Sequence, residues 1–255
     1  MAIQKKFAQL KKSGEKISVL ACYDYAFARL VDGTVDALLV GDSLNNVVYG
    51  EPKTSTVSLE TMLLHSRAVA RASEKSFVVG DMPFGSFGTP KYATTNAKKF
   101  LEAGCHAVKV EGFSEGVAKA IREAGVPVMG HIGLTPQTAE GFSVKGRNAA
   151  EAEKIMRNAL ALESEGCFAI VLECVPASLA KKISSSLRIP TIGIGAGKHC
   201  GGQVLVLHDV LGLLPDFRPK FVKRFANLAG NVSGAAQKFD KSVKNGKFPA
   251  KKYSY

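Results

Sequence analysis

Eight short apolar runs punctuate the chain: Ile17–Cys22, Ala37–Gly41, Phe77–Gly80, Ala107–Val110, Val126–Gly130, Phe168–Leu172, Thr191–Gly195 and Gln203–Leu207. Most are rich in Val, Ile and Leu, as strands buried on both faces of a parallel sheet should be. Longer amphipathic segments separate several of them, at Ser58–Ala72, Lys91–Ala103, Gly116–Ala124, Ala149–Glu165 and Ala177–Leu187. Gly104, Gly125 and Gly166 stand where a left-handed residue commonly ends a helix. Pro127 and Pro190 then restart the chain in extended form. Alternating strands and helices predict one α/β domain over residues 1–255, a closed (β/α)8 TIM barrel, with an open doubly wound sheet as the alternative. Within it, residues 1–16 are read as an N-terminal helix (2–12) that closes the barrel bottom, and 17–215 as the barrel body. Residues 216–255 are read as the last helix, within 219–245, and a basic C-terminal helical extension.

The 255-residue length suits one such barrel, and an apolar share of 46% excludes a disordered chain. A formal charge of +12 points first at a polyanionic partner. Its distribution weakens that reading. Residues 1–16 carry five lysines and one glutamate, and residues 217–255 carry ten lysines and arginines and one aspartate. The ends therefore hold +13 and the body −1. No basic-aromatic groove runs through the body, so the termini read as solvated tails and no specific nucleic-acid partner is expected. No apolar run approaches the roughly 18 residues that span a bilayer, so no membrane partner is expected. The N-terminal lysines precede no apolar signal region. Cys22, Cys105, Cys167, Cys174 and Cys200 form no C-x-x-C pair and no zinc-ligand spacing, which suits a reduced, cytoplasmic protein.

Four apolar runs lead into an acid: Asp42, Asp81, Glu111 and Glu173. In a β/α barrel the C-terminal strand ends form one rim, where active sites sit. One such acid alone is best explained as a cap of the next helix. Four at the same topological position point instead to a shared site whose mutual repulsion needs a cation or a proton. Oxygen-only donors suit Mg²⁺. Lys109 lies two residues before Glu111, so both side chains leave the same strand face, and a lysine inside a barrel needs a charged partner. His131 ends the fifth strand and is a candidate to orient a substrate. Gly193-Ile194-Gly195-Ala196-Gly197 lacks the last glycine of a dinucleotide fingerprint and reads as a loop that lets backbone approach a ligand.

The segments Leu39-Val40-Gly41-Asp42-Ser43-Leu44, Asp81-Met82-Pro83-Phe84, Val108-Lys109-Val110-Glu111-Gly112, Gly130-His131-Ile132-Gly133-Leu134-Thr135-Pro136-Gln137 and Leu172-Glu173-Cys174-Val175-Pro176, in this order, resemble the ketopantoate hydroxymethyltransferase family. Ala21-Cys22-Tyr23-Asp24-Tyr25, the glycine loop at 193–197 and Pro219-Lys220-Phe221 are similar to it as well, so the resemblance covers nearly the whole chain. It implies a barrel of the phosphoenolpyruvate/pyruvate superfamily that transfers a hydroxymethyl group from methylene-tetrahydrofolate to α-ketoisovalerate. It implies one Mg²⁺ per subunit at Asp42, Asp81 and Glu111, keto acid contacts from Asp42, Ser43, Asp81 and Lys109, Glu173 as the proton acceptor, and a homo-oligomer, commonly a decamer. Four loops depart from the family pattern: Asn45-Asn46, Glu51–Lys53, Thr138–Ser143 and Gly201. A carbon–carbon lyase of the same superfamily is the competing activity, although the chain lacks a reactive-cysteine signature such as K-K-C-G-H.

Overall fold

In the computed structural model, which describes residues 2–255, eight strands close into a barrel in chain order. They are β1 (Ile17–Ala21), β2 (Ala37–Val40), β3 (Phe77–Asp81), β4 (Ala107–Glu111), β5 (Val128–Gly133), β6 (Ala169–Glu173), β7 (Thr191–Ile194) and β8 (Gly202–Val206). The pairs from β1·β2 to β7·β8 are parallel. The helices of this part of the chain are α1 (Ile3–Ser13), α2 (Tyr25–Val31), α3 (Leu44–Val47), α4 (Leu59–Ala72), α5 (Pro90–Glu102), α6 (Val117–Glu123), α7 (Ala149–Ser164) and α8 (Ala177–Ser186). Side-chain caps start four of them: Asp24 accepts from the Phe27 amide, Ser58 from Thr61, Thr89 from Tyr92 and Asn148 from Glu151.

The predicted barrel is present, with three local differences. α2 has only seven residues, too few for a clear helical period, and the sequence pattern did not mark it. β7 and β8 pair in parallel across a connection that holds no helix. β5 begins after Pro127, which has no N–H to give the ladder, and runs on through His131 to Gly133.

Strand side chains alternate between the barrel interior and the surrounding helices. One apolar cluster gathers Ile17, Val19, Ala37, Leu39, Val79, Ala107, Met129, Ala169, Val171, Ile192 and Val204 from the eight strands. The same cluster includes Ile3, Phe7 and Leu10 of α1, spaced three and four residues apart on one helix face. Phe7 meets Phe168 edge to face at 5.4 Å between ring centres. The N-terminal helix thus joins the apolar core next to the strand starts, as expected.

The chain divides into two units, the barrel part reaching to Leu205 and a second from Val206 to Tyr255. The second contains α9 (Leu207–Val210), α10 (Leu228–Lys244) and a short 3-10 turn at Lys251–Tyr253. Its last long helix starts later than position 219. Residues 219–227 form a loop instead, in which the Phe225 and Ala226 amides bond to the Val210 carbonyl and Arg224 bonds to the Leu214 carbonyl. Val232, Phe239 and Val243 of α10 are exposed.

Candidate active site

The interior alternation continues past the apolar cluster and changes chemistry. On β3 it runs Phe77, Val79, Asp81; on β4 Ala107, Lys109, Glu111; on β5 Met129, His131; on β6 Ala169, Val171, Glu173. The charged members are the residues nearest the C-terminal strand ends, and all of them are buried. Asp42 lies two residues beyond β2, with its amide 3.2 Å from Asp81 Oδ2. None of the four acids caps the helix that follows it: Thr89 caps α5, and the N-caps of α3, α6 and α8 are Ser43, Gly116 and Pro176.

Register explains the contacts. Asp81 pairs with Lys109 across β3·β4, and Lys109 Nζ donates to Asp81 Oδ1 at 2.6 Å. Glu111 pairs with His131 across β4·β5, and Nδ1 of His131 lies 3.2 Å from Glu111 Oε2. Glu173 stands two positions further along β6 than Val171, the register partner of His131, and His131 Nε2 reaches its Oε2 at 3.2 Å. The two imidazole contacts are at ion-pair distance, and neither ring nitrogen forms a hydrogen bond.

The electrostatics follow from burial and these neighbours. Burial alone would depress the Lys109 ammonium, but Asp81, Asp42 and Glu111 outweigh it and hold it above its usual range. Burial pushes the Asp81 carboxyl up, and Lys109, hydrogen-bonded to it at 2.6 Å, opposes that rise. Asp42 is buried beside the Asp81 charge, and its carboxyl is pushed up to about 7. Burial would also raise Glu111, yet His131, Lys109 and the Gln137 amide keep it below the ordinary range. Burial and Lys109 push His131 down, and Glu111 and Glu173 more than compensate, lifting it to about 9.

All the residues expected at the site share this mouth. Asp42, Asp81 and Glu111 each face an internal partner, and among the described residues no three His, Cys, Asp or Glu side chains converge as a metal cage. His131 lies within β5, two residues before its end at Gly133. Ser43 Oγ lies 2.8 Å from the hydroxyl of Tyr23, which is fully buried.

Three features escaped the sequence reading. Gln137 is buried, and its amide and side chain bond into the mouth. Tyr23 sits behind Ser43; its segment, like those of Gln137 and Cys174, stands out in the sequence only as part of the family pattern. Cys174, directly after Glu173, has φ 48°, the one positive value for a non-glycine among the described residues. Such strain persists only where the surroundings enforce it, here through Cys174 N to Ile194 O and Lys145 N to Cys174 O. Gly133 adds to this, because a Cβ there would strike the Glu173 carbonyl. In the glycine loop, a Cβ on Gly193 would meet Cys200 Sγ at 2.9 Å and one on Gly197 would meet Ala177 at 2.6 Å. These two glycines are explained by packing against the protein itself. The departures after β2 support one another: Asn45 Nδ2 bonds Lys53 O and Thr56 Oγ1, and Asn46 Nδ2 bonds Glu51 O.

A closed β/α barrel with buried acids and a lysine at its C-terminal mouth defines an enzyme of the barrel class. Comparison with known proteins is more specific. The family model of ketopantoate hydroxymethyltransferase matches residues 2–251. A 3-methyl-2-oxobutanoate hydroxymethyltransferase of Clostridium botulinum (strain Langeland) is 49% identical over 98% of this chain and 94% of its own length. One from Syntrophus aciditrophicus is 49% identical over 96% and 93%. The chain belongs to the ketopantoate hydroxymethyltransferase family. Among solved structures, phosphonopyruvate hydrolase superposes with a TM-score of 0.66 at 14% identity, covering 99% of this chain and 93% of that one. A 2,3-dimethylmalate lyase of the PEP mutase/isocitrate lyase superfamily gives 0.62 at 14%, covering 100% and 92%. At such identity these two likenesses speak for the fold alone.

Proposed function

We propose that this chain transfers a one-carbon unit from methylene-tetrahydrofolate to α-ketoisovalerate, with water supplying the hydroxyl, to form ketopantoate for pantothenate synthesis. The observation that carries this reading is the near full-length likeness, at 49% identity, to curated proteins named for that hydroxymethyl transfer. The carbon–carbon lyase alternative has only fold-level likeness behind it. The proposal includes a homo-oligomer of the family's decameric kind and a cytoplasmic location. No described helix is long and apolar enough to cross a membrane.

The donor set fits a hard divalent cation. Asp42, Asp81 and Glu111 offer only oxygen, and with Glu173 they put four carboxylates beside two basic side chains, Lys109 and His131. These three acids would hold one Mg²⁺ per subunit, which as a Lewis acid would polarise the keto group of the substrate. Lys109 supplies the charge, and Ser43 the hydroxyl, that hold the keto acid's carboxylate; Asp42 and Asp81 border the same molecule. Glu173 takes the proton from the carbon next to the keto group, and the released electron pair forms the enolate. His131 contacts Glu173 and so orients the acceptor. Water adds to the folate methylene, its carbon–nitrogen bonds break to release tetrahydrofolate, and the enolate carbon bonds to the freed one-carbon unit, whose oxygen takes a proton and becomes the new hydroxyl.

Exchange of the β-proton of α-ketoisovalerate for deuterium tests the first half of this reaction, and turnover with methylene-tetrahydrofolate tests the second. Exchange should require a divalent ion and should fall about 10²–10⁴-fold in Glu173→Gln, which keeps the keto acid bound. Exchange at the wild-type rate in that variant would remove Glu173 from its role. Cleavage of a larger hydroxy acid without folate-dependent product would favour the lyase.

A further inference from the structure

Gln137 lies outside every strand and helix, in the loop between β5 and α7, yet it is buried in the mouth. Its backbone N–H donates to Glu111 Oε1 at 2.8 Å. Its Nε2 donates to Asp42 Oδ2 at 2.9 Å and to the Met82 carbonyl at 3.1 Å. One residue therefore touches two of the three acids assigned to the cation, from strand ends on nearly opposite sides of β3, and also the residue that follows Asp81. Both side-chain bonds use the same amide group, and both of its hydrogens have an acceptor. A carboxylate that accepts from a fixed amide is held in orientation, and partners of this kind typically change metal affinity by about 10–100-fold when removed.

The loop that carries Gln137 is also tied at its start, where the buried Leu134 donates its N–H to the Glu173 carbonyl at 2.8 Å. Thr135 and Thr138 bond to each other, and Glu140, Phe142 and Val144 are exposed. The next tie is Lys145 N to the Cys174 carbonyl, beside Glu173. We infer that Gln137 is a positioning residue: it fixes Asp42 and Glu111 relative to each other and couples the order of the 134–144 loop to cation binding. The inference rests on the proposed cation site. It assigns Gln137 no contact with substrate.

The test uses the full chain and Mn²⁺ as a paramagnetic probe, with free Mn²⁺ read by electron paramagnetic resonance. Gln137→Met keeps the side-chain length and the backbone N–H and removes the two side-chain donors. Its Mn²⁺ dissociation constant should rise about 10–100-fold over wild type. Deuterium exchange should drop at limiting metal and return to within about threefold of wild type at saturating metal, a rescue that general misfolding would not give. An unchanged dissociation constant, or an exchange defect that metal does not rescue, overturns the inference. A wild-type protein that binds no Mn²⁺ overturns the cation site itself, which is a separate result. Should Gln137→Met fail to fold, chymotrypsin cleavage at Phe142 of the wild-type protein decides. Cleavage should slow as Mn²⁺ saturates, and equal rates with and without Mn²⁺ overturn the coupling.

Discussion

The two ends of the barrel interior are built from the same strands and hold opposite chemistry. At the strand starts, Ile17, Ala37, Ala107 and Ala169 meet Ile3, Phe7 and Leu10 of α1 in an apolar cluster. At the strand ends, Asp81, Lys109, Glu111, His131 and Glu173 occupy the same inward-facing columns. The first end gains stability by removing hydrocarbon from water. The second buries charges that are costly unless paired, and these are the groups the proposed reaction uses. Under the proposed function, stability and activity are separated along the barrel's own axis.

The largest expected effect comes from making the mouth more like the bottom. Lys109→Met leaves Asp81 buried without its cation, a change of the type that costs about 3–5 kcal/mol when one partner of a buried pair is lost. Keto acid binding and exchange should weaken together, on the order of 10²–10³-fold. Urea unfolding and exchange assays check this, and a stable variant with normal exchange would show that the pair has neither role. At the other end, Phe7→Ala should cost about 3–5 kcal/mol of stability, as buried aromatic truncations do. Its exchange rate well below the melting temperature should stay within a few-fold of wild type. A collapse of activity in a folded Phe7→Ala protein would mean that the two ends are coupled.

A smaller effect concerns the thiols, which are free and buried at all five positions. Burial pushes Cys105 and Cys167 up to about 12 and Cys22 and Cys174 up to about 11. An unfolded thiol ionises near 8.5. The unfolded chain therefore loses these protons first, so the contribution to stability is complete below about pH 8.5 and is lost as pH rises towards 11–12. Denaturation midpoints should fall with rising pH through that window. A thiol reagent at pH 8 should label the native protein far more slowly than the urea-unfolded chain, and fast labelling of native Cys174 would show that the mouth is open to solvent at that position.

Much of the site was legible because the chain repeats one rule, an apolar run followed by an acid, and strand geometry converts that rule into a ring. Lys109 and Glu111 were placed on one face by their spacing alone. The apolar run of the fifth strand sets His131 at the strand end; the ladder continues through it to Gly133, which puts the imidazole inside. Gln137 gave no signal of this kind, since a polar residue in a loop reads as exposed until the loop is folded over the mouth.

The order of hydrophobic and polar residues determined the strands, the barrel, the α1 cap and the level at which charge replaces hydrocarbon. These are local properties, set by the period of the side chains along one element. Which carboxylate meets Lys109, which two flank His131 and what Gln137 joins were decided only by tertiary structure. Those contacts depend on the register between neighbouring strands and on the path of a loop, and both are fixed by packing between residues far apart in the chain.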